Sequence, residues 1–171
     1  MEAIIYVGNA GLVLTGSFLP RFFETLEMTE KGDGVTRWKT QSAAARAVHF
    51  LQYLVDGRTS TPEPTLVLNK IMCGLDLGTP VERSIEITDR EREVSEQLLK
   101  AMIANWQIIA HSSITALQET FFQREGKLEK RENKWELRVQ RRALDVLVDQ
   151  IPWSFSVIRL PWMPLPLYVT W

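Results

Sequence analysis

The stretch PWSFSVIRLPWMPLPLYVTW, Pro152 to Trp171, holds three of the six tryptophans and four of the eight prolines in the chain. Chain ends are ordinarily frayed and polar, whereas this one is apolar and aromatic to its last residue. Pro161, Pro164 and Pro166 restrict the chain before it folds, so ordering the tail costs less conformational entropy. Each tryptophan brings a large area to bury. Any fold of this chain must use the segment as a lid over its own core or as an anchor in another subunit, where aromatic residues are enriched. The sequence leaves both uses open.

A chain of 171 residues suits one domain with a sizeable core. Its apolar share of 45% and charged share of 24% are those of an ordinary globular protein. The net charge of -1 draws it neither to nucleic acid nor to an anionic membrane, and it permits dense self-association. The single cysteine, Cys73, excludes an internal disulfide framework and reads as a small buried side chain. The N-terminus lacks a basic leader, and no run approaches the ~20 apolar residues of a membrane span. Cytoplasmic synthesis and assembly, without membrane insertion, is the expectation.

The spacing predicts helices over Leu19 to Met28, with Pro20 in the first turn, and over TQSAAARAVHFLQYLVDG. In the second, Ala43, Ala47, Phe50, Leu51 and Leu54 share a face and Gly57 stands at the C′ position. TLVLNKIMCGL reads as a short helix ended by Gly74. Thr88 and Glu91 form a capping box before a helix whose stripe is Val94, Leu98, Met102 and Trp106. A helical hairpin follows around His111, with Ser112 or Ser113 as cap. The segment before Leu19 reads as extended or turn-rich, EKGDG as a loop, and RRALDVLVDQIP as a short helix. DLGTPVERSIEI carries turn residues and a candidate short strand.

The period then changes to two. Trp135, Leu137 and Val139 alternate with Lys134, Glu136 and Arg138, which predicts a β-hairpin turning near Glu132–Asn133. SVIRLP and PLYVTW read as strand-like pieces. The expected fold is α+β: one mostly helical globular domain, residues 1–171, with a small antiparallel sheet from the C-terminal third.

Catalytic patterns are weak. His49 has Tyr53 and Arg46 as its helical neighbours, and His111 stands beside serines; neither arrangement is a metal site or a triad. Asp145 and Asp149 share a helix face at i, i+4, where an exposed polar face is a commoner reading than paired acids. Arg124 to Arg142 holds eight Lys/Arg and four Glu around Trp135, and the interleaved glutamates would repel a phosphate backbone. We therefore expect no catalytic residue, no metal and no cofactor. The expected partner contacts are Trp171, Tyr168, Met163 and Trp135, with Trp162 in the core.

Six stretches resemble one family in order along the chain. They are IYVGNAGLVL (Ile5 to Leu14), FLPRFFETL (Phe18 to Leu26), RAVHFLQYLVDG (Arg46 to Gly57), LVLNKIMCGL (Leu66 to Leu75), TFFQREGKL (Thr120 to Leu128) and IRLPWMPLPLYVTW (Ile158 to Trp171). Together they resemble the tape measure proteins of contractile injection systems, phage-tail-like machines with a sheath around an inner tube. The resemblance implies a structural role without catalytic residues, in company with tube, cap or baseplate proteins and copies of itself. It is to the end-domain of such proteins. Even a wholly helical chain of this length would span only about 250 Å at ~1.5 Å per residue, a poor ruler for a long tube. The expectation is an end-domain, or a cap, adaptor or plug at a tube end, the alternative being an assembly factor or chaperone for tube or effector subunits.

Overall fold

Residues 3–171 are described by the structure, a computed structural model. Helices form where the apolar period is near 3.6. Helix α1, Leu19–Thr25, opens on Pro20 and buries Phe22 and Phe23. Helix α2, Gln41–Asp56, starts at Thr40, whose hydroxyl accepts the Ala43 N–H, and buries Ala47, Phe50, Leu51 and Leu54. It ends at Gly57 with φ +75°, the left-handed conformation that glycine adopts without a Cβ clash. Helix α3 spans Val67–Met72. Helix α4, Asp89–Asn105, begins with the reciprocal Thr88–Glu91 capping box. Leu98, Met102 and Trp106 of its stripe are buried and Val94 is half-buried.

Helix α5 is the single turn Ile114–Leu117, capped by the Ser113 hydroxyl, and it widens into a π-helix over Gln118–Phe122. Such wide turns often accompany functional surfaces.

Five strands form the main sheet: β1 (Ile4–Val7), β4 (Gly126–Lys130), β5 (Trp135–Val139), β7 (Leu167–Thr170) and β6 (Val157–Ile158), in that spatial order. The β4–β5 hairpin pairs Leu128 with Leu137 and Lys130 with Trp135, as the alternation predicts. A second sheet is the hairpin β2 (Thr29–Gly32) and β3 (Val35–Trp38).

The α+β class holds, with two refinements to the sheet. Its edge strand β1 comes from the N-terminal segment and pairs with β4. Strands β5 and β7 run parallel, Trp135 beside Leu167 and Arg138 beside Thr170, so the sheet is mixed. Four local readings also change. EKGDG lies within the β2–β3 hairpin, with Asp33 at φ +54° and Gly34 at φ +77°, the two left-handed residues a tight hairpin turn needs. The segment Ala10–Phe18 is a 3-10 helix buried from Ala10 to Gly16. Residues 143–150 form two separate 3-10 turns, Ala143–Val146 and Val148–Gln150, in place of one helix. Residues 75–87 contain no strand and lie as a strap whose Leu75, Leu77, Val81, Ile85 and Ile87 pack on the core.

The 3-10 segment contacts α1, α2, the π-helix, β5 and β6, and so sits between the sheet and the helices. One face of the sheet covers it: Leu128, Trp135, Leu137, Val139, Ile158 and Leu167 are buried. The opposite face carries Ile4, Tyr6, Lys127, Glu129, Glu136, Arg138 and Tyr168, none of them buried.

Candidate functional site

The tail is stitched to the body by its indoles. Trp153 Nε1–H donates to the Leu14 carbonyl at 3.0 Å, Trp162 Nε1–H to the Met72 carbonyl at 2.7 Å, and Trp171 Nε1–H to Asp145 Oδ2 at 2.7 Å. Trp38 and Trp106 make comparable ties to Cys73 and Leu147 carbonyls. Each ring spreads its apolar area over the core while its polar edge finds an acceptor. Trp162 stacks obliquely on Trp38, with centroids 4.5 Å apart, and meets Phe23 edge-on.

Asp145 anchors the last residue. It has no solvent exposure and pairs with Arg124, 1% exposed, through two bonds of 2.5 and 2.9 Å. It also accepts the Arg142 N–H. Arg124 donates further to the Gln140 and Thr120 carbonyls, and the Trp171 ring lies 5.5 Å from its guanidinium carbon. Burial works to raise the Asp145 carboxyl, but bonds from Arg124, Trp171 and the Arg142 amide outweigh it and hold the group below the usual carboxylate range. Asp149 is instead exposed and pairs with Arg141 at 2.6 Å. The two acids therefore serve different cations and do not form a catalytic pair. His111 and Ser112 are both exposed. His49 is buried, its Nε2–H donating to the Glu82 carbonyl of the strap. Among the described residues no group of three His, Cys, Asp or Glu could hold a metal ion.

The four expected contact residues occupy different surroundings. Tyr168 stands on the outer sheet face, 39% exposed, with the Lys134 ammonium 4.6 Å above its ring. Trp171 is half-buried against Phe155. Met163 is half-buried, its sulfur accepting the Leu160 N–H. Trp135 points to the core side and lines a groove of about 540 Å³ with Ile5, Leu75, Leu77 and Leu165, rimmed by Lys130, Arg131 and Glu132. The structure thus brings Trp135 near the tail's Leu165 but does not gather the four into one patch.

Reading the sequence reached the outer sheet face only at Tyr168 and the polar side of the hairpin, and missed its exposed apolar residues. Ile4 and Tyr6 stand 49% and 77% exposed at one edge, and Val157 and Tyr168 at the other. Between them the basic stretch is partly paired in place: Arg131 bridges Glu129 and Glu136, with Lys127 and Lys134 on the same acids, and with Arg138 beside Lys127 the face keeps more cations than acids. Over residues 2–171 the sequence matches the family of contractile injection system tape measure proteins. The chain belongs to that family. Among curated proteins and solved structures, nothing matches it.

As a tape measure family member, the chain has a structural role in a contractile injection system and associates with other proteins of that machine. No described helix is long and apolar enough to cross a membrane. The indole stitching gives the apolar tail a place within the chain's own fold, which sets what remains exposed for partners.

Proposed function

We propose that this tape measure family chain is an end-domain, spanning residues 1–171, that docks at one end of the inner tube, against tube, cap or baseplate proteins, in several copies. The observation that carries the reading is the outer face of the five-stranded sheet. It sets exposed Ile4, Tyr6, Val157 and Tyr168 around an ion-paired centre in which cations outnumber acids. The apolar rim, and the glutamates set among the cations, suit a protein partner with an acidic surface. Tyr168 has the exposure a direct contact needs. Trp171 and Met163 would contribute at the tail, and Trp135 through its groove. Closed rotational symmetry keeps such a surface from open-ended aggregation.

The test is a reconstruction of the intact particle with this chain located in it, paired with pull-downs of tube, cap and baseplate components. Fixed copy number at a tube terminus is the expected result. Absence from mature particles, with binding only to free tube or effector subunits, would replace this reading with that of an assembly chaperone.

A further inference from the structure

Among the described residues no strand lies beyond β1 or β6, so the five-stranded sheet has two open edges. The ladder fixes which backbone groups those edges present. In an antiparallel pair, facing residues alternate between exchanging hydrogen bonds and exchanging none. The Gln140 N–H donates to the Glu125 carbonyl and the Arg131 N–H to the Lys134 carbonyl, both at 2.9 Å, so the odd-numbered residues of β4 bond to β5. Its even-numbered residues bond to β1, where Leu128 faces Ile5 and Gly126 faces Val7. Ile4 and Tyr6 therefore turn their N–H and C=O groups away from the sheet. At the other edge the Val169 N–H donates to the Ser156 carbonyl at 2.8 Å. By the same alternation Ile158 bonds to Leu167, while Val157, which faces Tyr168, turns its N–H and C=O outward.

Both edges are apolar where they are open. Ile4, Tyr6 and Val157 are exposed, and all three side chains stand on the outer sheet face with Tyr168. Neither strand carries a lysine or a proline, the residues that ordinarily blunt an edge: β1 reads IIYV and β6 reads VI. The two edges also match in direction. Strand β1 is antiparallel to β4, β4 to β5 and β7 to β6, whereas β5 and β7 are parallel. Strands β1 and β6 thus run in opposite senses, as an antiparallel pair between copies related by rotation requires.

We propose that β1 of one copy pairs with β6 of the next, head to tail, closing several copies into a ring with a continuous sheet. The outward groups of Ile4 and Tyr6 then meet those around Val157 of the partner subunit. On the outer face an aromatic and a β-branched residue become cross-strand neighbours, a favourable pair. The exposed apolar residues that one copy holds at opposite edges come together, and the charged centre stays free. Pairing β1 with β1 across a two-fold would leave β6 open, whereas the ring uses both edges of every copy and closes. This inference rests on the several-copy part of the proposed function and adds how the copies meet.

The test is sedimentation of the purified full chain and of variants that each remove one outward N–H. Tyr6→Pro and Val157→Pro lie where proline takes no bond from the ladder, as edge strands tolerate. The unaltered chain should form a concentration-dependent species larger than a dimer, and each proline variant alone should stay monomeric. Mixed in equal amounts, the two variants keep one good edge each and should form a dimer and nothing larger. Tyr6→Lys and Val157→Lys, at exposed side chains, blunt the same edges by charge and should repeat this pattern, which covers failure of a proline variant to fold. Hydrogen exchange should show the Ile4, Tyr6 and Val157 amides gaining protection on assembly, with Ile5 protected already in the monomer. An unaltered chain that stays monomeric up to high micromolar concentration, a Val157→Pro variant that still dimerises, or a variant mixture that does not pair would each overturn the proposal. Single, separated copies at a tube terminus would overturn it and leave the docking reading standing. Rings in solution from a chain absent in particles would support it and remove the docking reading.

Discussion

The indole N–H of Trp171, the last residue, donates at 2.7 Å to Oδ2 of Asp145, a carboxylate with no solvent exposure. The tail of the chain is thereby tied to a buried ion pair, and its contribution to stability is separable from any contribution to docking.

Removing one side of that pair strands the other. Arg124→Met leaves the Asp145 carboxylate with only the Trp171 and Arg142 donors, in a site with no water access. A loss of about 3–5 kcal/mol is expected for breaking a buried pair. Trp171→Phe keeps a phenyl ring but removes the indole's five-membered ring and one donor of four, so at this half-buried position it should cost about 1–2 kcal/mol. Urea titrations of the two variants decide this; equal losses would show that the latch does not depend on the ion pair.

Acid should weaken the fold through two carboxylates. Asp145 is held below its ordinary range by the causes given above, and Glu91 chiefly by its hydrogen bond with Arg46, reinforced by the Thr88 backbone N–H. Lowered folded values mean that the stabilisation is complete above the unfolded carboxylate value, about 4, and is lost as pH falls through the folded values. The melting temperature should therefore be level near neutrality and fall below about pH 4. The slope should be shallower in Asp145→Asn. A melting temperature unchanged down to pH 2 would contradict the assignment.

Gly74 is closed to side chains on two grounds. Its φ is +74°, and an added Cβ would lie 2.1 Å from the Trp162 carbonyl oxygen. Gly74→Ala must displace the tail backbone, with an expected loss of about 1–3 kcal/mol or more. Gly57→Ala, at φ +75° with open space around it, should cost only the backbone strain, about 1 kcal/mol. Thermal melts that rank Gly57→Ala as the worse variant would exclude the close approach of the tail.

Trp162→Ala removes a ring packed on Trp38 and Phe23 together with the bond to Met72. It should cost about 3–5 kcal/mol. Tyr6→Glu combined with Tyr168→Glu touches only the outer sheet face and should change stability by under about 1 kcal/mol. The docking reading predicts that this second pair folds normally and fails to enter particles. Normal incorporation would remove the outer face from the interface.

Helix starts, and the stops made by glycine, were legible because they depend on neighbours in sequence; α1 instead ends at Thr25, short of the expected Met28, where Glu27 turns to φ +58° ahead of β2. The Thr88–Glu91 box, the Thr40 cap and the glycines at 57 and 74 are local devices, and each stands where its residue type predicts. The β4–β5 hairpin was legible for the same reason: alternation and a polar turn lie within one short segment. Residues 143–150 misled because the apolar spacing of Leu144, Leu147 and Val148 looks helical. There Asp145 binds Arg124 and the Arg142 amide, and this fixes two tight turns.

By itself the sequence determined the α+β class, the caps, the hairpin register and the need to bury an aromatic tail, since each follows from propensity, period or composition. Tertiary structure alone decided that β1 joins the sheet from the other end of the chain and that β7 runs parallel to β5. It alone decided which carbonyls receive the tail's indoles and that β1 and β6 become the edges of the sheet. These pairings join residues tens of positions apart. Their partners are chosen by the packing of the whole core, which no local pattern encodes.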